Sequence, residues 1–465
     1  MTDWNLSPSP SFSLTVRLEL KNRTGALAEV TKAIAEAGGN LGQISLIERN
    51  LKTVKRELQI DASSTEHAEQ IVRAIKALKD VEVLHVSDRT FDLHRGGKIH
   101  IQNRIPINSS ADLAMAYTPG VGRICKAIEE APEKVFSLTI KGNSVAIVTD
   151  GSAVLGLGNL GPEAALPVME GKAMLFKQFA DIDAFPICLA TQDAEEIIRT
   201  VKNIIPAFGG VNLEDIAAPK CFEIERKLQE ELDVPIFHDD QHGTAIVTMA
   251  ALINSLKLVD KEMTKVKVVI NGAGAAGIAI ARLLQQAHCE NIILCDSRGI
   301  VSKGRPDLNE EKRLFAVAQE GTLADALVGA DVFIGVSTAG VLTPEMVKTM
   351  AAQPIVFAMA NPIPEIQPEL IRDIAAVVAT GRSDYPNQIN NVLAFPGVFR
   401  GALDCRAIAF TTDMYLQAAK AIAGLVPPSV LDKEHIIPSV FDPRVVPTVA
   451  AAVQQAARET GVARI

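Results

Sequence analysis

Two acidic pairs, Glu214-Asp215 and Asp239-Asp240, each stand just after a short apolar run, Gly210–Leu213 for the first and Val234–Phe237 for the second. Short apolar runs of this kind read as buried strands of a parallel sheet, and ligands gather at the carboxyl ends of such strands. Carboxylates placed there suit a hard cation, because Mg2+ and Mn2+ favour oxygen donors. A glycine-rich turn, Gly272-Ala-Gly274-Ala275-Ala276-Gly277, follows closely. Together the two features point to redox chemistry beside a metal ion.

The turn has the setting a dinucleotide needs, with a strand over 266–270 before it and a helix over 278–286 after it. Gly272 permits the tight turn, Gly274 lets the backbone approach a pyrophosphate, and Gly277 lets helix and strand pack closely. Ala275 and Ala276 lie within the turn, just before a helix whose N-terminal amides and dipole favour phosphate. Asp296 follows the next strand, where a carboxylate can accept from the adenosine ribose and so favours NAD. Arg298, two residues on, could hold a 2′-phosphate, which keeps NADP possible.

Other readings of these residues stand beside the catalytic one. The turn could be structural only. The four carboxylates could be helix caps or surface acids facing Lys220 and Lys227. His238 and His242 are spaced like a zinc pair, although no cysteine ligand or HExxH frame accompanies them.

Bulk properties bound the answer. At 465 residues the chain exceeds one ordinary core and is expected to form two or three domains. A net charge of −9 argues against nucleic acid or an anionic membrane as partner. Six scattered cysteines without CxxC spacing fit a reducing, cytoplasmic setting. The first eleven residues lack a signal-peptide pattern, and no stretch resembles a membrane span.

The elements that must position the chemistry fall into blocks. Residues 1–12 are expected to be a flexible tail. Residues 13–90 read as βαββαβ, a ferredoxin-like order: Leu14, Val16, Leu18 and Leu20 alternate with polar residues, Leu27, Val30 and Ile34 share a helical face, and two strands, a helix and a last strand follow. Asn22-Arg-Thr-Gly25 and Gly39-Asn40-Leu-Gly42 within it resemble an ACT domain. That resemblance implies an amino-acid or metabolite effector, or a role in pairing subunits. Residues 91–243 should carry the substrate and metal, residues 244–400 a doubly wound Rossmann-type sheet, and residues 401–465 helices.

Tyr117-Thr-Pro-Gly-Val-Gly122, Val148-Thr-Asp-Gly151, Leu155–Gly161, Pro167–Lys172, Leu213-Glu-Asp215, Phe237–Ala245 and Asn361-Pro362 occur in one order. Together they resemble the malic enzymes in their shorter bacterial form, over about residues 95 to 440. The resemblance implies oxidative decarboxylation of malate to pyruvate and CO2 with reduction of NAD(P)+, NAD being favoured over NADP. It implies Glu214, Asp215 and Asp240 as ligands to Mg2+ or Mn2+, with Asp239 as a supporting catalytic acid. Lys172 matches the general base and Tyr117 the acid that protonates the enol carbon, both touching substrate. Asn361 and Asn391 match amides that hold the substrate carboxylate, and Asn361 also lines the cofactor site.

These residue types suit the chemistry, since a metal can polarise the ketone of a β-keto acid. A buried lysine beside cations and apolar walls is expected to titrate low enough to serve as base. One departure stands out. Ser152-Ala153-Val154 lacks the arginine that larger malic enzymes place before their Leu-Gly-Leu-Gly turn. A homo-oligomer, dimer or higher, is expected. The rival functions are a catalytically silent metabolite sensor and a hydroxy-acid dehydrogenase that does not decarboxylate.

Overall fold

The computed structural model describes residues 8–465. These divide into two compact units, one ending at His100 and the other running from Ile101 to Ile465.

In the first unit β1 (Ser9–Lys21), α1 (Ala26–Glu36), β2 (Asn40–Arg49), β3 (Thr53–Ala62), α2 (Thr65–Lys76) and β4 (Val81–Asp88) are followed by a short α3 (Arg89–His94). The strands form an antiparallel sheet in the order β2-β3-β1-β4. Alternation in β1 does what the period-two pattern predicts: Leu14, Val16, Leu18 and Leu20 are buried and Arg17 is exposed. They meet Val30 and Ile34 of α1 and Ile71 and Ile75 of α2 in a core of their own. Of the twelve residues expected as a tail, Met1 to Ser7 lie outside the described residues, whereas Ser9 to Phe12 already belong to β1. Strand pairing of Ser9 with Ala62 explains the earlier start.

The second unit opens with α4 (Ser110–Ala116), α5 (Val121–Glu130) and α6 (Val135–Leu138), none of which buries a residue. It continues β5 (Ser144–Thr149), α7 (Pro162–Ala180), β6 (Asp183–Cys188), α8 (Ala194–Ile204), β7 (Gly210–Leu213), α9 (Lys220–Glu231) and β8 (Ile236–His238). A π-helical turn, Asp239–Gly243, then leads into α10 (Thr244–Leu258). The four strands are parallel in the order β6-β5-β7-β8. Strand order reverses between β5 and β7, which opens a crevice at their carboxyl ends.

A second sheet follows from β9 (Lys267–Asn271), α11 (Ala275–Gln286), β10 (Asn291–Asp296), β11 (Gly299–Ile300), α12 (Glu310–Arg313), α13 (Leu323–Leu327), β12 (Val332–Gly335), α14 (Pro344–Lys348), β13 (Ile355–Ala358) and β14 (Val377–Thr380). Its order is β11-β10-β9-β12-β13-β14, parallel except where β11 pairs with β10. The reversal here lies between β9 and β12, the place where a doubly wound sheet binds a dinucleotide. Three helices close the chain, α15 (Phe395–Asp404), α16 (Thr412–Gly424) and α17 (Val445–Glu459).

One continuous apolar core underlies both sheets of this unit. Phe176 of α7 packs edge-on against Phe395 and Phe399 of α15, with ring centroids 4.8 and 5.3 Å apart. Burying each such ring contributes about 1.5–3 kcal/mol. The C-terminal helices therefore brace the sheet that carries the acids. Among the described residues, no helix is long and apolar enough to cross a membrane.

Candidate active site

Register brings the two acidic pairs to one level. Leu213 of β7 pairs with His238 of β8, so the residues that follow, Glu214-Asp215 and Asp239-Asp240, leave the sheet side by side. One carboxylate oxygen from each of Glu214, Asp215 and Asp240 lies within 4.8 Å of the others. Among the described residues this is the group placed to share a metal ion.

Local bonds set these side chains. The Asp215 amide donates to Asp240 Oδ2 at 2.9 Å, and Asn212 Nδ2 donates to Glu214 Oε2 at 2.8 Å. Asp215 adopts a left-handed φ of 54°, a conformation held only where the surroundings require it. Burial, and then the charge of Asp240, lift its carboxyl to about 7, while burial lifts Glu214 well above the usual range. The Asp215 Oδ2 is buried without a hydrogen-bond partner. Crowded, desolvated carboxylates with an unused oxygen suit a small dication, which needs oxygen ligands and offsets their charge.

Lys172 projects from α7 into this cluster. Its ammonium is 2.5 Å from Asp239 Oδ2 and 3.1 Å from Glu214 Oε1, and the ring of Phe395 lies 4.2 Å away. Burial alone lowers the pKa of this lysine, but the charges of Asp239 and Glu214 outweigh it and raise the value above that of a free lysine. The expectation of a low-titrating Lys172 is thus corrected: its close neighbours are anions, and they favour the ammonium.

Asn391 donates to Asp239 Oδ2 at 2.9 Å and exchanges hydrogen bonds with Thr244 at 3.2 and 3.3 Å. A Cβ on Gly243 would stand 2.0 Å from Asp239 Oδ1, so this glycine gives the carboxylate its room. Asp239 is therefore a hub, touched by Lys172 and Asn391 at once.

The loop after β5 is tied to the acids. The Ala153 amide donates to the Asp215 carbonyl at 2.9 Å, and Ser152 Oγ links buried Asp150, at 2.6 Å, to the Ala217 amide, at 2.9 Å. Lys220 pairs with Asp150. This loop reaches Asn361, whose carbonyl oxygen lies 3.1 Å from the position of a Cβ on Gly156. Asn361 is exposed, beside the substrate-side loop, after β13.

The glycine turn has the shape expected of it. A Cβ on Gly277 would meet the Gly272 carbonyl at 1.7 Å, one on Gly272 would meet the Val336 carbonyl at 2.5 Å, and one on Gly274 meets nothing within 4 Å. The open side faces the first turn of α11, where Ala275 and Ala276 carry amides without intrahelical acceptors. These residues fit a dinucleotide pyrophosphate. Glu365 braces the far wall, accepting from the Ser337 and Ala360 amides, each at 3.0 Å.

Three placements differ from expectation. Asp296 ends β10 as foreseen, yet its oxygens are engaged by Arg305 at 2.8 and 2.9 Å and by Lys312 at 2.7 Å. Arg298 pairs instead with Asp307, at 3.3 Å. Tyr117 caps α4 with 67% of its surface exposed, and among the described residues no hydrogen bond or ring contact joins it to Lys172 or the acids. Its segment packs little against its own chain, leaving Ile101, Ile105, Leu113 and Met115 exposed as well.

The zinc alternative has no geometry behind it. His242 Nε2 lies 2.9 Å from Glu225 and its ring stacks on Tyr415, while His238 is buried and 3.7 Å from Asp240. Glu225 also accepts from the His238 amide at 2.9 Å and from Gln241 at 3.0 Å, so it supports the π-turn from behind. Sequence reading missed Asp150, Glu225, Glu365, Arg305, Lys312 and Phe395. Only Asp150 carried a signal, standing within the Thr-Asp-Gly run.

Comparison with known proteins agrees with this geometry. The family models for the malic enzyme N-terminal domain, the malic enzyme NAD-binding domain and the ACT domain match residues 96–229, 241–458 and 8–85. The chain is 53% identical over 459 residues to an NAD-dependent malic enzyme of Geobacillus stearothermophilus, covering 98% of this chain and 96% of that one. It is 56% identical over 391 residues to a bifunctional malic/malolactic enzyme of Bacillus subtilis, covering 82% and 95%. The crystal structure of an NAD-dependent malic enzyme from Thermotoga maritima superposes with a TM-score of 0.76 at 49% identity, covering 79% of this chain and 99% of that one. With two family models laid end to end over the acids, the lysine and the glycine turn, and a relative matched along almost its whole length, the chain belongs to the malic enzymes, with an ACT domain at its N-terminal end.

Proposed function

We propose that this chain carries out the malic enzyme reaction, malate plus NAD(P)+ to pyruvate, CO2 and NAD(P)H, in the cleft between its two parallel sheets, with Lys172 as the proton-transfer group. The observation that carries the assignment of roles is the position of the buried Lys172 ammonium, bonded to Asp239 and Glu214 and beside the Glu214, Asp215 and Asp240 cluster. Glu214, Asp215 and Asp240 would hold Mg2+ or Mn2+, which supplies Lewis acidity at the substrate oxygen when bound. Gly272, Gly274, Ala275, Ala276 and Gly277 would hold NAD+, the favoured cofactor, which would supply the hydride acceptor.

With a bound dication offsetting the charge of the acids, Lys172 would serve as a neutral amine that takes the proton of the malate hydroxyl, and Asp239 sets its position. Asn361 and backbone amides would donate to the substrate carboxylate, because no arginine precedes Leu155, and Asn391, whose Nδ2 hydrogens go to Asp239 and Thr244, would join them by releasing Thr244. Tyr117 returns a proton to the carbon left after CO2 departs. Its arm of exposed apolar residues supports association of chains, so we assign the working form to a homo-oligomer in which that arm is covered. The ACT domain would take an amino acid or related metabolite, for which the cavity of ≈410 Å3 bordered by Phe12, Leu14, Thr65, Val72 and Val86 offers space.

The test is turnover of malate with Mn2+ and NAD+, read as NADH and pyruvate, in the wild type and Lys172→Ala. Loss of turnover with NADH binding retained supports the roles given. Oxaloacetate in place of pyruvate would identify a dehydrogenase that does not decarboxylate, and no product with either nucleotide would identify a sensor.

A further inference from the structure

Helix α9 buries a stripe made of Cys221, Phe222, Ile224, Glu225 and Leu228. Four of these are apolar, and the fifth is an acid only 5% exposed. A carboxylate in such a stripe is costly unless its oxygens find polar partners. Glu225 finds three, all on the segment that bears Asp239 and Asp240. Its Oε1 accepts the His238 amide at 2.9 Å and lies 2.9 Å from His242 Nε2, and its Oε2 accepts from Gln241 Nε2 at 3.0 Å. These contacts grip the residue before the acidic pair and the two residues after it.

The segment needs that grip. Asp239–Gly243 is a π-turn in which the Thr244 amide reaches back to the Asp239 carbonyl, a rare winding that recurs at functional sites. Behind it Gln241 and His242 border a cavity of ≈500 Å3 among α9, α11 and α16, so packing alone does not hold them. Tyr415 stacks on the His242 ring with centroids 4.6 Å apart, which leaves the ring one preferred orientation. On the front of the turn Asp239 meets Lys172 at 2.5 Å and Asn391 at 2.9 Å, while Asp240 accepts the Asp215 amide at 2.9 Å. Rewinding the turn as α-helix would rotate the acids by about 100°, one residue of a 3.6-residue turn, and break all three contacts.

We propose that Glu225 is a positioning residue for the metal site and for Lys172, fixing the π-turn so that Asp240 joins Glu214 and Asp215 while Asp239 meets the lysine. This deepens the malic enzyme reading of those acids and rests on it. The effect of Glu225 passes through the backbone of His238 and the side chains of Gln241 and His242.

The test compares the full-length wild type with Glu225→Ala and Glu225→Gln. Mn2+ binding is followed without malate through the electron paramagnetic resonance signal of the free ion, NADH binding by fluorescence, and turnover by steady-state kinetics. Glu225→Ala should raise the Mn2+ dissociation constant about tenfold, the loss that follows removal of a group orienting a metal ligand. Its kcat should fall as well, with NADH affinity unchanged because the glycine turn lies on the other sheet. Glu225→Gln should keep Mn2+ affinity within about threefold of wild type, since its carbonyl still accepts and Gln241 can turn its own amide to suit the new NH2. Should Glu225→Ala fail to fold, His242→Phe keeps the stack on Tyr415, loses the Nε2 contact and is expected to raise the same constant about threefold. Wild-type Mn2+ affinity in Glu225→Ala or His242→Phe, or an equal loss of Mn2+ and NADH binding, overturns the proposal. So does a Glu225→Gln variant as impaired as Glu225→Ala, or a wild type that binds no Mn2+. A wild type whose Mn2+ binding depends on Glu225 yet leaves malate untouched sinks the malic enzyme reading and leaves the positioning of the cation site intact.

Discussion

The ammonium of Lys172 sits 4.2 Å from the centroid of the Phe395 ring and over its face. A desolvated cation over an aromatic face is stabilised by about 2 kcal/mol. Phe395 therefore helps to fix where the ammonium points. Phe395→Leu keeps the position apolar but removes the ring, and we expect kcat to fall about tenfold with KM for malate changed far less. Steady-state kinetics decide it, and an unaltered kcat would remove Phe395 from the positioning of Lys172.

The acidic cluster makes a prediction about metal. Mn2+ binding only the folded chain raises its stability by mass action, about 2.7 kcal/mol at a hundredfold excess over Kd. Asp240 contributes an oxygen to the cluster and also accepts the Asp215 amide. Asp240→Ala should abolish most of the Mn2+-dependent rise in Tm. A full rise in the variant would mean that the metal sits elsewhere.

Gly277 has no space for a methyl group, since the added carbon would stand 1.7 Å from the Gly272 carbonyl, which is backbone and cannot turn aside. Gly277→Ala should push α11 away from β9, weaken NADH binding at least tenfold and lower Tm by several degrees. Fluorescence titration with NADH and a thermal melt check both effects. Wild-type affinity would show that the turn tolerates the displacement.

Asp296 predicts an acid limb in stability. Burial would raise its carboxyl, but bonds from Arg305 and Lys312 outweigh burial and hold it well below the usual carboxylate range. A depressed folded pKa gives stability that is present above the unfolded value, about 3.9, and lost as pH falls below it. Asp296→Asn should lower stability near neutral pH and flatten the decline in acid. Denaturant midpoints measured from neutral pH down to about pH 3 would reveal parallel curves if the aspartate had no such role.

Much of the fold was legible because its signals are local. Alternation in β1, the apolar strands β7 and β8, and the Gly272–Gly277 turn each follow from the backbone's own requirements, and the acids were found because they abut strand ends. What escaped depends on pairings across the chain. The Lys172–Asp239 bond spans 67 positions, and nothing near Lys172 tells that anions from two other strands will surround it. Arg305, Lys312 and Glu365 look like ordinary loop or helix charges until β10 and β12 bring their partners to them. Tyr117 went the other way: its motif was readable, but its helix buries no residue that would carry it to the lysine.

Helix α10 has a mechanical consequence. It begins directly on the π-turn that bears Asp239 and Asp240, and it ends where the chain turns toward β9, with Lys261 in the connection held to Asp331 at 2.8 Å. Its fifteen residues form a strut about 22 Å long. Any rocking of the nucleotide half is therefore passed, as through a lever, to the two aspartates at its root.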